Sequence, residues 1–186
     1  MRRIGLVLFG AFSALALNPA HADDAACKGI VDAMMANTQT PYHSVGTITL
    51  EASGGSQAPI SKSMPTETIF TGTEIFVKLP TGGWQNVHAS LDDVKQRVRK
   101  AADSFKDCQK LADETDNGKN LAVYSGTTSN GANVVKTKIW VAPDRGVLMR
   151  TETDVTSAPQ SDGEVRRQTL ALRYDYDNIK PPANVQ

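Results

Sequence analysis

Hydrophobic and polar positions alternate with period two along most of this chain, and with a period near 3.6 in one long stretch. Residues 42–52 alternate and are rich in Val, Thr and Ile, the composition of a half-buried strand. Residues 67–70, 74–79 and 84–87 read as three short strands joined at Thr71-Gly72-Thr73 and Gly82-Gly83. Residues 120–127, 133–141, 147–156 and 164–176 predict four more. Asn130-Gly131 carries the hairpin signal between the first two of these, and Pro143-Asp144-Arg145-Gly146 turns the next. Residues 53–65 hold glycines, serines and prolines without a period and read as a flexible loop, and residues 157–163 as a second one. About eight antiparallel strands are expected, without the strand–helix alternation of a parallel sheet.

The stretch with helical period opens at Ser90, an N-cap residue type, and Asp92 and Asp93 suit the positive helix end. Leu91, Val94, Val98, Ala101, Phe105, Cys108 and Ala112 follow at spacings of three and four. One long amphipathic helix is predicted, with Cys108 on its inner face. A shorter helix begins at Asp23-Asp24 and runs to about residue 35, and Thr40-Pro41 ends it, since a residue before proline avoids the helical region.

Alternation also sorts the strand side chains into two faces. Thr137, Ile139 and Val141 oppose Lys136, Lys138 and Trp140. Leu170, Leu172, Tyr174 and Tyr176 oppose Arg167, Arg173 and Asp175, and Ile75, Val77 and Leu79 oppose Phe76 and Lys78. One face of the sheet is therefore apolar and the other mostly wet. A single amphipathic helix is too narrow to cover so many strands. An apolar cavity on the inner face and a filled core both fit this pattern.

Met1-Arg2-Arg3, the apolar residues 4–17, the break at Asn18-Pro19 and the small residues of Ala20-His21-Ala22 compose a secretory signal peptide over residues 1–22. Cleavage is expected between Ala22 and Asp23, leaving one domain over residues 23–186 in the periplasm or outside the cell. No stretch reaches the ~20 apolar residues of a membrane span. The chain has 20 basic and 20 acidic residues, and removing Arg2 and Arg3 leaves 18 against 20. That balance gives no electrostatic case for nucleic acid or an anionic membrane surface. Cys27 and Cys108 form an even pair in an exported chain, which predicts a disulfide worth on the order of 4 kcal/mol. Asp24-Ala25-Ala26 lacks the apolar residue that lipid attachment at Cys27 would want.

Catalytic chemistry has no residue set here. His43 and His88 stand outside any metal-ligand spacing, no G-x-S-x-G elbow occurs, and Gly54-Gly55 and Gly82-Gly83 read as turns. No catalytic residue, metal or cofactor is expected, and the chain is expected not to be an enzyme.

Three segments carry a family likeness. Trp140-Val141, then Gly146-Val147, Arg150 and Glu152, form a strand–turn–strand unit; Glu74-Ile75-Phe76-Val77-Lys78 is followed by Gly83-Trp84; and the chain exits through Tyr174-Asp175-Tyr176-Asp177 to Pro181-Pro182. These resemble elements of the periplasmic lipoprotein-carrier superfamily, which includes the Lol-system lipoprotein chaperone and mycobacterial lipid-carrying lipoproteins. The resemblance implies an α+β fold, a curved antiparallel half-barrel whose concave face is covered by one long and one short helix and encloses a site for acyl chains. The expected lining is Ile48, Leu50, Ile75, Val77, Ile139, Val141, Leu170 and Leu172 from the sheet, with Val94, Val98 and Phe105 from the helix. The expected function is a soluble carrier of a lipid or other amphiphile, with an envelope protein as partner and helix movement gating the pocket. The alternative is a structural or interaction module with a filled core.

Overall fold

The computed structural model describes residues 24–54, 58–161 and 163–185, so the expected signal, residues 1–22, lies outside the described residues. The elements run α1 (Asp24–Asn37), β1 (Tyr42–Ser53), β2 (Ile60–Phe70), β3 (Ile75–Lys78), β4 (Trp84–Asn86), α2 (Leu91–Ala102), β5 (Lys106–Lys110), β6 (Glu114–Asp116), β7 (Lys119–Asn130), β8 (Asn133–Ala142), β9 (Val147–Ser157) and β10 (Val165–Asp175). The strands pair antiparallel in the order β4-β3-β2-β1-β10-β9-β8-β7-β5, with β6 on the other half of the β7 edge. The sheet curves without closing, as the half-barrel expectation has it.

Local chemistry sets the framework. Gly131 at φ 57° and Gly146 at φ 66° supply the left-handed positions that the β7–β8 and β8–β9 turns need. Gly46 serves a different need: a Cβ there would lie 1.8 Å from the Ala171 carbonyl oxygen, so no larger residue fits between β1 and β10.

The closed core forms where α1 lies on the concave face. Ala26, Ile30 and Ala33, spaced as one helix stripe, pack with Cys108, Ile139, Val141 and Leu148. Gly126 makes this contact possible, since a Cβ there would come within 2.9 Å of Phe105, 3.0 Å of Ile30 and 3.2 Å of the Cys108 sulfur. The Cys27–Cys108 disulfide joins α1 to β5, with α-carbons 5.2 Å apart.

The structure corrects several expectations. The predicted long helix stops at Ala102, where the Ser104 hydroxyl donates to the Ala101 carbonyl at 2.8 Å. Asp107 then takes φ 51°, which a helix cannot hold, and β5 pairs with β7. Phe105 and Cys108 are therefore off the helix, and the disulfide clamps α1 to a strand and not to a second helix. Of the two helices, α1 is the longer at 14 residues, against 12 for α2. Ser90 stands at the N-cap but makes no side-chain capping bond. The loop expected at residues 53–65 is half strand: Ile60 to Thr66 pair with β1 throughout. With β5 and β6 this makes ten strands where about eight were expected. The outer face is also less wet than its alternation suggested, because Trp140 is buried there with Leu121, Val123, Ala142 and Val147.

Candidate functional site

A cavity of about 420 Å³ opens on the concave face between the sheet and α2. The strands supply its floor because period-two alternation sends Ile139, Leu170 and Leu172 inward with Thr137, Thr151 and Thr153. Leu91, Val94, Val98 and Ala101 of α2 form the opposite wall. These four are only half-buried, and no residue of α2 is fully buried. The helix packs mainly on α1, and its apolar stripe lines the cavity across from the strands.

One end of the cavity is closed by an aromatic group. The Tyr42 and Tyr174 rings meet edge-on at 5.3 Å, and Tyr42 and Phe70 stand 5.6 Å apart. Burial, and secondarily the nearby Tyr174 phenol, push the Tyr42 phenol up to about 12; burial raises Tyr174 as well. Both are neutral over the physiological range. Behind them the Tyr176 hydroxyl donates to the Leu148 carbonyl and has Asn37 Oδ1 at 2.8 Å, which ties β10 to the end of α1. Among the described residues no charged side chain lines the cavity.

Of the residues expected to line it, Ile75, Val94, Val98, Phe105, Ile139, Leu170 and Leu172 border the cavity. Val141 lies instead in the closed core under α1. Val77 lies two residues beyond Ile75 along β3 and does not border the cavity, and the same holds for Ile48 further along β1. Leu50 is 38% exposed and joins Ile60 and Val155 in a separate depression past the covered part of the sheet. The lining residues that alternation could have added are Tyr174, which shares a face with Leu172, and Thr137, which shares one with Ile139. Met34, Asn37 and Thr38 come from the end of α1, whose placement no local signal fixes.

The convex face offers different chemistry. Its groove runs past Lys136, Lys138, Glu152, Asp154 and Arg167. Arg167 forks onto Asp154, Lys138 reaches Glu114 at 2.9 Å, and Arg150 pairs with Glu152. The Arg167 guanidinium holds the Asp154 carboxyl below its ordinary range. His43 is also on this face, 2.9 Å from Glu67, which Lys78 contacts from the other side at 2.6 Å. Among the described residues no group of three His, Cys, Asp or Glu is placed to hold a metal, and no helix is long and apolar enough to cross a membrane.

The geometry defines a class: an open, curved antiparallel sheet with a helix-roofed apolar cavity. No protein-family model and no curated protein matches the chain. Among solved structures it is similar to the Mycobacterium tuberculosis lipoprotein LppX, at 15% identity and TM-score 0.44, covering 88% of this chain and 100% of that one. It is similar to LprF from Mycobacterium bovis at 13% identity and TM-score 0.41, covering 89% and 98%. A LolA superfamily protein from Nitrosomonas europaea shares 9% identity at TM-score 0.24, covering 83% and 91%. At such values these likenesses concern the fold and bear on neither ligand nor mechanism.

Proposed function

We propose that this chain is an exported carrier or binding protein that holds a lipid or other amphiphile in the cavity under α2. One observation carries the reading: α2 has a well-formed apolar stripe, yet none of its residues is fully buried, because the stripe faces a cavity of about 420 Å³. A helix of this pattern on a filled core would bury its central valines. The volume falls within the ~300–1,000 Å³ of small-molecule sites. Acyl surface placed there would contribute roughly 25 cal/mol per Å² removed from water. Export rests on the N-terminal pattern of residues 1–22 and on the disulfide, which suits an oxidising compartment. The reading assigns the chain no catalytic step, and it makes an envelope component the donor or acceptor of the cargo.

The test is uptake of the neutral fluorophore N-phenylnaphthylamine by the mature protein. The wild type is expected to take it up with a saturable rise in emission. Val98→Trp, which fills the cavity from a half-exposed helix position, is expected to abolish the rise while leaving the circular dichroism spectrum unchanged. No uptake by the wild type, or unaltered uptake by the variant, contradicts the proposal.

A further inference from the structure

The cavity is not uniformly apolar. Its α2 wall and Leu170 and Leu172 of β10 are hydrocarbon, but β7, β8 and β9 contribute Thr128, Thr137, Thr151 and Thr153. Thr137 and Thr153 stand directly opposite each other across β8 and β9, and Thr151 is the next inward residue on β9. Tyr42 and Tyr174 add two phenols at the closed end. Among the described residues, Thr128, Thr137, Thr153 and Tyr42 give their hydroxyls no protein hydrogen-bond partner. Thr151 and Tyr174 share only a 3.5 Å contact. Threonine is an ordinary strand former, so its presence in β8 and β9 alone says little. Its placement says more: hydroxyls without a protein partner are gathered on the inner wall of the cavity, none of them sealed from water, so a ligand that covers them without replacing their bonds to water incurs the cost of an unmade hydrogen bond.

Resting on the carrier reading, we infer that the cavity selects a neutral, oxygenated amphiphile. Such a ligand has an apolar chain or ring frame bearing a hydroxyl that lies against Thr137 and Thr153. Among the described residues no charged side chain is in the lining to compensate a carboxylate or ammonium, so a charged group would remain outside the mouth. A hydroxyl on the ligand can both donate to and accept from a threonine hydroxyl, so it matches the floor whichever way the rotors point. A hydrocarbon chain of the same length would desolvate those hydroxyls without replacing their bonds. The pattern thus reads as selection between ligands of equal apolar area.

The experiment displaces N-phenylnaphthylamine from the mature protein with methyl ricinoleate or methyl oleate, esters that differ by one hydroxyl. The wild type is expected to favour methyl ricinoleate by about 3- to 10-fold, the range one hydrogen bond supplies. Thr137→Val with Thr153→Val keeps side-chain shape and strand propensity while removing both hydroxyls. In that variant the preference is expected to vanish, with methyl oleate bound as tightly as before or tighter. Equal affinities in the wild type, or a preference that survives in the double variant, would overturn the inference while leaving the carrier reading standing. Failure of the wild type to take up the fluorophore at all would overturn both.

Discussion

The two helices cover the same concave face in opposite ways. α1 buries Ala26, Ile30, Ala33 and Asn37. It is bonded to β5 through Cys27 and Cys108, and the sheet opposite makes room for it at Gly126. α2 carries the clearer amphipathic stripe, yet it has no fully buried residue, no disulfide and no side-chain cap. The helix that looks stronger in sequence is thus the looser one in the structure. An apolar stripe records that a face avoids water, not that protein is what fills the space before it. Where the strands come close, as under α1, the stripe becomes core. Where they stand back, as under α2, it becomes the wall of a site.

Truncation should break this comparison most sharply. Ile30→Ala is expected to cost about 2–5 kcal/mol, the range for an aliphatic side chain lost from a closed core, measured by urea unfolding. Val98→Ala on half-buried α2 is expected to cost below about 1 kcal/mol in the same assay. Equal losses would mean that both helices rest on a filled core. Removing the clamp with Cys27→Ser and Cys108→Ser together is expected to cost about 2–4 kcal/mol. Hydrogen exchange should quicken across α1 and β5 in that variant before it changes in α2.

The alkaline limb tests the aromatic end of the cavity. Tyr42 is raised by burial from 10.0 to about 12, so the unfolded chain ionises first as pH rises. The stability that Tyr42 contributes is expected to be fully present below pH 10, to fall between about 10 and 12, and to be gone above, while Tyr174 and Tyr176, also raised by burial, extend the decline. Tyr42 alone accounts for a loss on the order of 2 kcal/mol over that window. Tyr42→Phe should make the decline between about pH 10 and 12 shallower, and an unchanged slope there would mean that water reaches this phenol freely. The smallest effect is expected on the convex face. Arg167→Ala removes an exposed fork to Asp154 and should leave the urea midpoint nearly unchanged, with cavity uptake untouched.

Most strands were legible because a half-buried sheet writes its two faces as alternation, as in Thr137 to Val141 and Leu170 to Tyr176. What alternation could not show was held by partners distant in sequence. In β2, Ser61-Lys62-Ser63-Met64-Pro65 has a loop's composition and becomes a strand through backbone pairing with β1. In β5, Cys108 is buried with both neighbours on either side exposed. Its spacing from Phe105 and Ala112 continued the α2 stripe by coincidence, and pairing with β7 decided the outcome. The site was legible to the same extent. Ile139, Leu170 and Leu172 follow from face parity, whereas Ile48, Leu50 and Val77 share that parity but lie outside the cavity. Parity tells which way a side chain points and not how far the helices extend over the sheet.

Native mass spectrometry of the mature protein, purified from the cell that makes it and compared before and after organic extraction, tests the central claim most directly. A carrier is expected to show a noncovalent adduct of lipid size that extraction removes, on a polypeptide two hydrogen atoms lighter than its reduced form. A polypeptide of bare mass both before and after extraction, joined with no uptake of a neutral apolar probe, would contradict it and leave α2 as the roof of an empty space.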